Sequence, residues 1–252
     1  MTSMTTPKVS LDFLKSDLWD EWDNLESDQK RGVPLPAQQK PPPEGVDLID
    51  LLPIDEINVG QMSLIEAMKR RRSHREYGDA ALTFEELSFL LWATQGVTQF
   101  SSKRGVALRT VPSAGARHPF ETYLLVNNVE NLEPGLYRYL PLDHKIYLVN
   151  GNATIFDDVH QACYEQYVED SAVTFIWTSI PYRTEWRYTI ITPKLIALDV
   201  GHVCQNLYLA CESIGAGACA IGGYDQAKMD AALEVDGEEE FAVYAATMGK
   251  IL

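Results

Sequence analysis

Positive charge is scarce in this chain. Its 252 residues include 21 Lys and Arg against 36 Asp and Glu, a formal net charge of −15. Such an excess repels nucleic acid and anionic membrane at long range, so neither is an expected partner. Cysteine is also sparse: Cys163, Cys204, Cys211 and Cys219 stand 41, 7 and 8 residues apart and form no CxxC pair. With no zinc-type spacing, we expect no metal site and buried thiols in a reducing compartment. No stretch reaches the roughly 18 consecutive apolar residues of a membrane span. The opening "MTSMTTPKVS" lacks the basic, apolar, small-residue order of a secretory signal, and a cytoplasmic location is the expectation. G-x-S-x-G, H-E-x-x-H and Walker A patterns are missing as well. His74, His118, His144, His160 and His202 are scattered, and there is no internal repeat. Without side chains suited to hydrolysis, a bound cofactor that carries the chemistry is the natural alternative.

What is present describes a soluble globular protein, 46% hydrophobic and 23% charged. Residues 11–28 set Leu11, Leu14, Leu18, Trp22 and Leu25 on one face of an expected amphipathic helix. Pro34, Pro36 and Pro41-Pro42-Pro43 then preclude a helix or central strand, so residues 31–53 read as an extended arm. A helix is expected over 63–72 with Leu64, Ala67 and Met68 as its apolar side. Thr83-x-x-Glu86 opens the next as a capping box, and Gly96 stops it. Residues 98–119 show hardly any period and read as a long functional loop. Strands "ETYLLV", "GLYRYL", "KIYLV" and "AVTFIW" follow, with a helix over 153–168 among them. A long helix over 195–216, a glycine-rich turn, a short polar helix and the closing strand "EEFAVYAATMG" complete the chain. Helices and strands interleave without regular βαβ spacing, which favours a layered α+β domain with a mostly antiparallel sheet.

Three stretches stand out. "KRRRSHREYG" (69–78) puts five positive side chains into seven positions of an acidic chain. On a helix Arg71 and Arg75 would share a face with Ser73 between them, and two guanidiniums with a hydroxyl can clamp a phosphate. Read alone, the cluster is more ordinarily a solvated basic patch, because charge runs normally face water. "PSAGARHPFE" (112–121) is nearly bare of side chains, so a planar ligand can lie against it, with Ser113 and His118 as polar handles; a tight turn is the alternative. "GAGACAIGGY" (215–224) lacks the GxGxxG spacing of dinucleotide sites but offers several N–H donors on bare backbone.

Together these stretches resemble the flavin-dependent nitroreductase family, and more narrowly its SagB-type dehydrogenase branch. Arg71, Ser73 and Arg75 match R-x-S-x-(R/K). Pro112, Ser113 and Pro119 match the family's P-S loop, with Ala116 and His118 replacing its Asn and Gln. "ALDVGHVCQNLYLACESIGAGACAIGGY" and the terminal "YAATMGK" follow in the family's order. The resemblance covers residues 60–252, read as an FMN-binding domain behind an N-terminal helix and proline-rich arm, residues 1–59. It implies a three-layer α+β sandwich, FMN as cofactor and NAD(P)H as a possible electron donor. It also implies a homodimer whose active sites lie at the subunit interface.

Carried over residue by residue, Arg71, Ser73 and Arg75 would hold the phosphate and the pyrimidine edge of FMN, and Lys250 would reach the phosphate. Pro112, Ser113, Ala114 and Gly115 would run along the ring, and Gly222 and Gly223 would face its N5 side. The implied reaction passes a hydride between a donor and a planar, electron-poor organic substrate. One alternative is a SagB-like oxidation of a small molecule or peptide-derived heterocycle, and another is flavin binding without turnover. That branch has a Lys-Tyr pair where "EWRYT" supplies Arg187 and Tyr188, and arginine stays protonated. Tyr188, Arg187 and His118 are the catalytic candidates. With Trp177, Tyr182, Arg183 and Trp186 they suggest a planar and anionic substrate, or else an aromatic-rich interface.

Overall fold

The central strands are buried on both sides, and their alternation shows why. The computed structural model describes residues 13–103 and 105–252. In β4 (Phe120–Val126), Phe120, Leu124 and Val126 join one apolar cluster while Tyr123 and Leu125 join another. In β7 (Val173–Ser179), Val173, Phe175 and Trp177 join the first and Ile176 the second. Successive strand side chains point to opposite faces, so two apolar sets require a cover on each face.

Helices α2 (Phe84–Gln95) and α5 (Thr192–Ser213) cover the first face through Leu87, Leu90, Leu91, Val203 and Leu207. Helices α3 (Thr154–Ala162) and α6 (Gln226–Ala232) cover the second through Ile155, Val159 and Met229. The remaining strands of the sheet are β1 (Ile49–Asp50), β5 (Gly135–Leu140), β6 (Lys145–Asn150), β8 (Ala216–Ile221) and β9 (Phe241–Lys250). Its order is β1-β6-β5-β4-β7-β9-β8, and every neighbouring pair is antiparallel. The fold is therefore the expected α+β sandwich. No helix among the described residues is long and apolar enough to cross a membrane.

Local chemistry sets the helix ends. The Thr83 hydroxyl accepts from the Glu86 N–H, and the Glu86 carboxylate accepts from the Thr83 N–H, so the capping box forms in full. Helix α1 (Leu64–Arg70) opens on Ser63, whose hydroxyl accepts from the Glu66 N–H.

Several elements depart from the sequence reading. Helix α1 ends at Arg70, not 72, and Leu64 and Met68 are exposed at 60% and 58%. The long helix begins three residues earlier than expected, with Pro193 in its first turn. Residues 98–119 include a hairpin, β2 (Val97–Ser101) paired with β3 (Val106–Arg109). Of the expected helix over 11–28, the described residues form only a 3₁₀ segment, Asp17–Asn24; Leu14 and Leu18 stay exposed, and Leu11 lies outside the described residues.

The proline-rich arm is extended and fastened by polar contacts. Gln38 donates to the Ala116 carbonyl at 2.9 Å and accepts from the Ala107 N–H at 2.7 Å. Buried Arg109 and Arg138 donate to the carbonyls of Gln38 and Lys40. The Lys40 ammonium pairs with Glu240 at 2.7 Å.

Candidate functional site

Past α1 the chain becomes extended, because Arg71 at φ −41 and ψ 118 leaves the helix. Residues 72–78 then run beside β8 and β9: the His74 N–H donates to the Ala218 carbonyl at 3.0 Å, Ser73 bridges Ala218, and the Gly78 N–H donates to the Lys250 carbonyl at 2.8 Å. Alternate side chains of an extended chain share a face. Arg71, Ser73 and Arg75 thus form a strand face, and the helical face expected for them does not exist.

The neighbours of each cation decide which are free to bind an anion. Arg70 pairs with Glu66 at 2.7 Å, and Arg72 donates to the Arg71 carbonyl at 2.8 Å. Arg71 lies 5.5 Å from the Tyr208 ring centre and Arg75 5.9 Å from that of Tyr167. Neither has a carboxylate partner among the described residues. Lys250, expected to join them, is engaged elsewhere: it pairs with Glu86 and donates to the Ile214 carbonyl at 3.1 Å. The sequence reading missed Tyr208. Its hydroxyl accepts from the Ala220 N–H at 2.8 Å and meets the Ser73 hydroxyl at 3.2 Å. The spacing Ala197, Gly201, Cys204, Tyr208 is a helical stripe that marks it out in the sequence.

At the other end of β8, Gly222 lines a cleft of about 1070 Å³, and Gly223 beside it is exposed. A Cβ on Gly223 would meet nothing within 4 Å, and one on Gly222 only the Tyr244 ring at 3.7 Å. The bare backbone therefore faces open space in the chain itself. Val200, Gly201 and Tyr244 line the same region. Gly222 lies four positions beyond Ala218, about 13 Å along extended backbone.

A second cluster gathers around residues 112–118. The Ala114 N–H donates to the Asp199 carboxylate at 3.1 Å, and the Ser113 hydroxyl accepts from the His118 N–H at 2.9 Å. Burial raises the pKa of Asp199, while its bonds from Ser113 and Ala114 act the other way. Gly115 has φ 58, and a Cβ there would stand 2.8 Å from the Tyr188 hydroxyl. Arg187 lies 5.3 Å from the Tyr188 ring centre, and Trp22 packs on that ring from 5.4 Å. Pro112 is exposed beside them. His118 is buried, and that burial, with the Arg109 and Arg117 guanidiniums, lowers its pKa to about 3. The ring is therefore neutral near pH 7.

One chain does not bring the two clusters together. Asp199 holds the loop, Tyr208 meets Ser73 and the Arg71 guanidinium, and the two stand nine residues apart on α5. Nine residues are about two and a half turns, which puts them on opposite sides of the helix. Leu198, His202 and Gln205 lie exposed on the face between. The "WTSIPYRTEWRYT" segment is split as well. Trp177 is buried in the core, Tyr182 lines the cleft, and Arg183 is buried in an ion pair with Glu121. The segment's latter half forms α4 (Tyr182–Tyr188), where Trp186 donates to the Val33 carbonyl at 2.9 Å.

Comparison with known proteins supplies what geometry alone leaves open. The model of the Nitroreductase family matches residues 68–250. The chain belongs to this family. A nitroreductase homologue of Methanocaldococcus jannaschii is 33% identical over 175 residues, 69% of this chain and 86% of the relative. A nitroreductase structure from Ralstonia eutropha superposes with a TM-score of 0.67 at 24% identity, covering 85% of this chain and 94% of the other. The NADPH:FMN oxidoreductase of Vibrio harveyi, solved with NAD+, gives 0.52 at 17% identity over 75% and 68% of the two chains. These structural likenesses speak for the fold, and family membership makes the chain an oxidoreductase. As a nitroreductase-family site, its donor set suits an anionic flavin: two guanidiniums without carboxylate partners at one end and uncrowded glycine backbone at the other.

Proposed function

We propose that the chain is an FMN-dependent oxidoreductase acting as a homodimer, with NAD(P)H as one electron donor and a planar, electron-poor organic molecule as acceptor. The observation that supports this reading is that two separate side-chain clusters contact opposite sides of α5. Arg71, Ser73 and Arg75 would take the phosphate end of FMN, and the N–H groups near Gly222 and Gly223 would face the ring edge. A second copy packed on the exposed Leu198 face would add Ser113, Ala114 and Gly115, with Tyr188 and Arg187 behind them. When bound, the flavin supplies two-electron chemistry between donor and acceptor. The chain's own task is to bind, orient and exclude water. Guanidiniums beside a dianionic phosphate form charge-assisted hydrogen bonds, roughly twice as strong as neutral ones.

Within this reading Tyr188 is the candidate proton donor, its hydroxyl lying against the backbone of Gly115. For oxidation of a peptide-derived heterocycle, the residue beside Tyr188 is Arg187, and a guanidinium is a donor with no acceptor site to serve as base. The test is direct. Purified protein should be yellow, bleach under anaerobic reductant, oxidise NAD(P)H with quinone acceptors faster than free FMN does, and sediment as a dimer. Colourless protein that takes up no FMN at micromolar concentration refutes the proposal.

A further inference from the structure

The cleft has two ends of different chemistry. Gly222, Gly201 and Tyr244 lie at the end assigned to the flavin. Ala245 pairs with Ile221, and Phe241 lies four residues farther along β9, about 13 Å away. That outer end has walls of Ile180, Tyr182 and Phe241. Three carboxylates line it, Glu185 on α4 with Glu238 and Glu239 from the turn before β9, all exposed. None has a cationic partner among the described residues. Lys194 is turned away, donating to the Ser16 hydroxyl at 2.9 Å. The N-terminus of α5 opens on the same end and contributes about half a positive charge, well short of three negative ones.

An independent observation points to a ligand here. Thr192 lines the cleft, is 1% exposed, and its hydroxyl has no hydrogen-bond partner. A buried hydroxyl left unpaired is costly, and a ligand N–H would satisfy it. The sequence reading expected an anionic substrate because of Arg183 and Arg187. Neither lines this cleft: Arg183 is paired with Glu121, and Arg187 stands over the Tyr188 ring.

We propose that the outer end of this cleft selects a cationic substrate, an aromatic or otherwise flat apolar body bearing an amine, amidine or guanidine. The apolar walls would take the body, the Thr192 hydroxyl an N–H, and the three glutamates the charge. This assignment rests on the FMN reading, since it treats the Gly222 end as the flavin's.

Three redox-inert isosteres test it: 2-naphthamidine (cation), 2-naphthamide (neutral) and 2-naphthoate (anion). Binding is measured by titration calorimetry at low salt on FMN-loaded and FMN-free protein. The amidine should bind about tenfold more tightly than the carboxylate, given that exposed charge pairs are individually weak. The gap should narrow at high salt and fall to about threefold in the Glu238→Gln, Glu239→Gln double variant. Thr192→Val should weaken amidine and amide together. Binding of the carboxylate as tight as that of the amidine, an order untouched by the double variant, or no binding of any probe at millimolar concentration overturns the proposal. Protein that holds no FMN yet prefers the amidine would refute the flavin reading alone. A flavoprotein indifferent to probe charge would refute the cation reading alone.

Discussion

Replacing Arg75 with alanine separates a built anion clamp from a basic patch. Its guanidinium faces the Tyr167 ring at 5.9 Å and otherwise donates only a long 3.4 Å bond to the Ser73 carbonyl. Little internal structure depends on it, so stability should hardly change. Losing one partner of a charge-assisted hydrogen bond costs about 2–3 kcal/mol, or roughly 30–150-fold in affinity. Arg70 is the control, five residues away and spent on an exposed pair with Glu66. Its removal should cost about 0.3–0.5 kcal/mol of stability and leave FMN binding unchanged. Arg75→Lys keeps the charge but loses the planar fork, and an intermediate loss is expected. The assay is quenching of FMN fluorescence on titration with protein at fixed ionic strength. Equal affinities for wild type and Arg75→Ala, or equal losses in both alanine variants, would refute the reasoning.

Other consequences are as direct. His118 has a folded pKa near 3 against an ordinary value of 6.5. Between those values the unfolded chain takes up a proton that the folded chain refuses, so stability is complete above pH 6.5 and is lost on acidification. The slope is about 1.4 kcal/mol per pH unit. His118→Asn, chosen because asparagine tolerates the residue's φ of 46, should flatten that limb in urea midpoints measured from pH 7 to pH 4.5; an unchanged limb counts against the assignment. Gly115→Ala should destabilise by about 1–2 kcal/mol through its left-handed backbone and the Tyr188 contact, read as a fall in denaturant midpoint. Leu198→Glu, at a side chain 52% exposed on α5, should yield monomer in sedimentation and lose FMN, because each flavin would need both chains. A flavin-loaded monomer would refute the shared site.

Much of the fold was legible in the sequence, and the reasons are local. The Thr83–Glu86 box, the apolar strands and the long helix are each specified by residues within a few positions of one another. Arg71, Ser73 and Arg75 were legible as a set but not in form. Their period of two is a strand signal, outweighed in the reading by the helix just before it. Lys250 was misread because its partner Glu86 lies 164 residues away and was already assigned to a cap. The partners of the "WTSIPYRTEWRYT" arginines were hidden for a similar reason. Arg183 is neutralised by Glu121, 62 residues away, and the glutamates at the outer end come from two segments that meet only after folding. Tyr208 shows the opposite case, a local stripe whose meaning depends on what lies beside it.

The arm also sets an order for events during synthesis. Lys40 must wait 200 residues for Glu240, its partner. Gln38 waits about 70 to 80 residues for Ala107 and Ala116. At about 5–20 residues per second, the arm stays incompletely docked for roughly 10–40 s while the sheet behind it is made. Through that interval its prolines keep it from nucleating a helix, and as an extended, solvated strand it makes no early commitments. It can dock fully only when β9 begins to form, so its closure reports that the C-terminal strand has arrived. A nascent chain stalled before residue 240 should therefore expose the arm to protease, and one released past residue 250 should protect it.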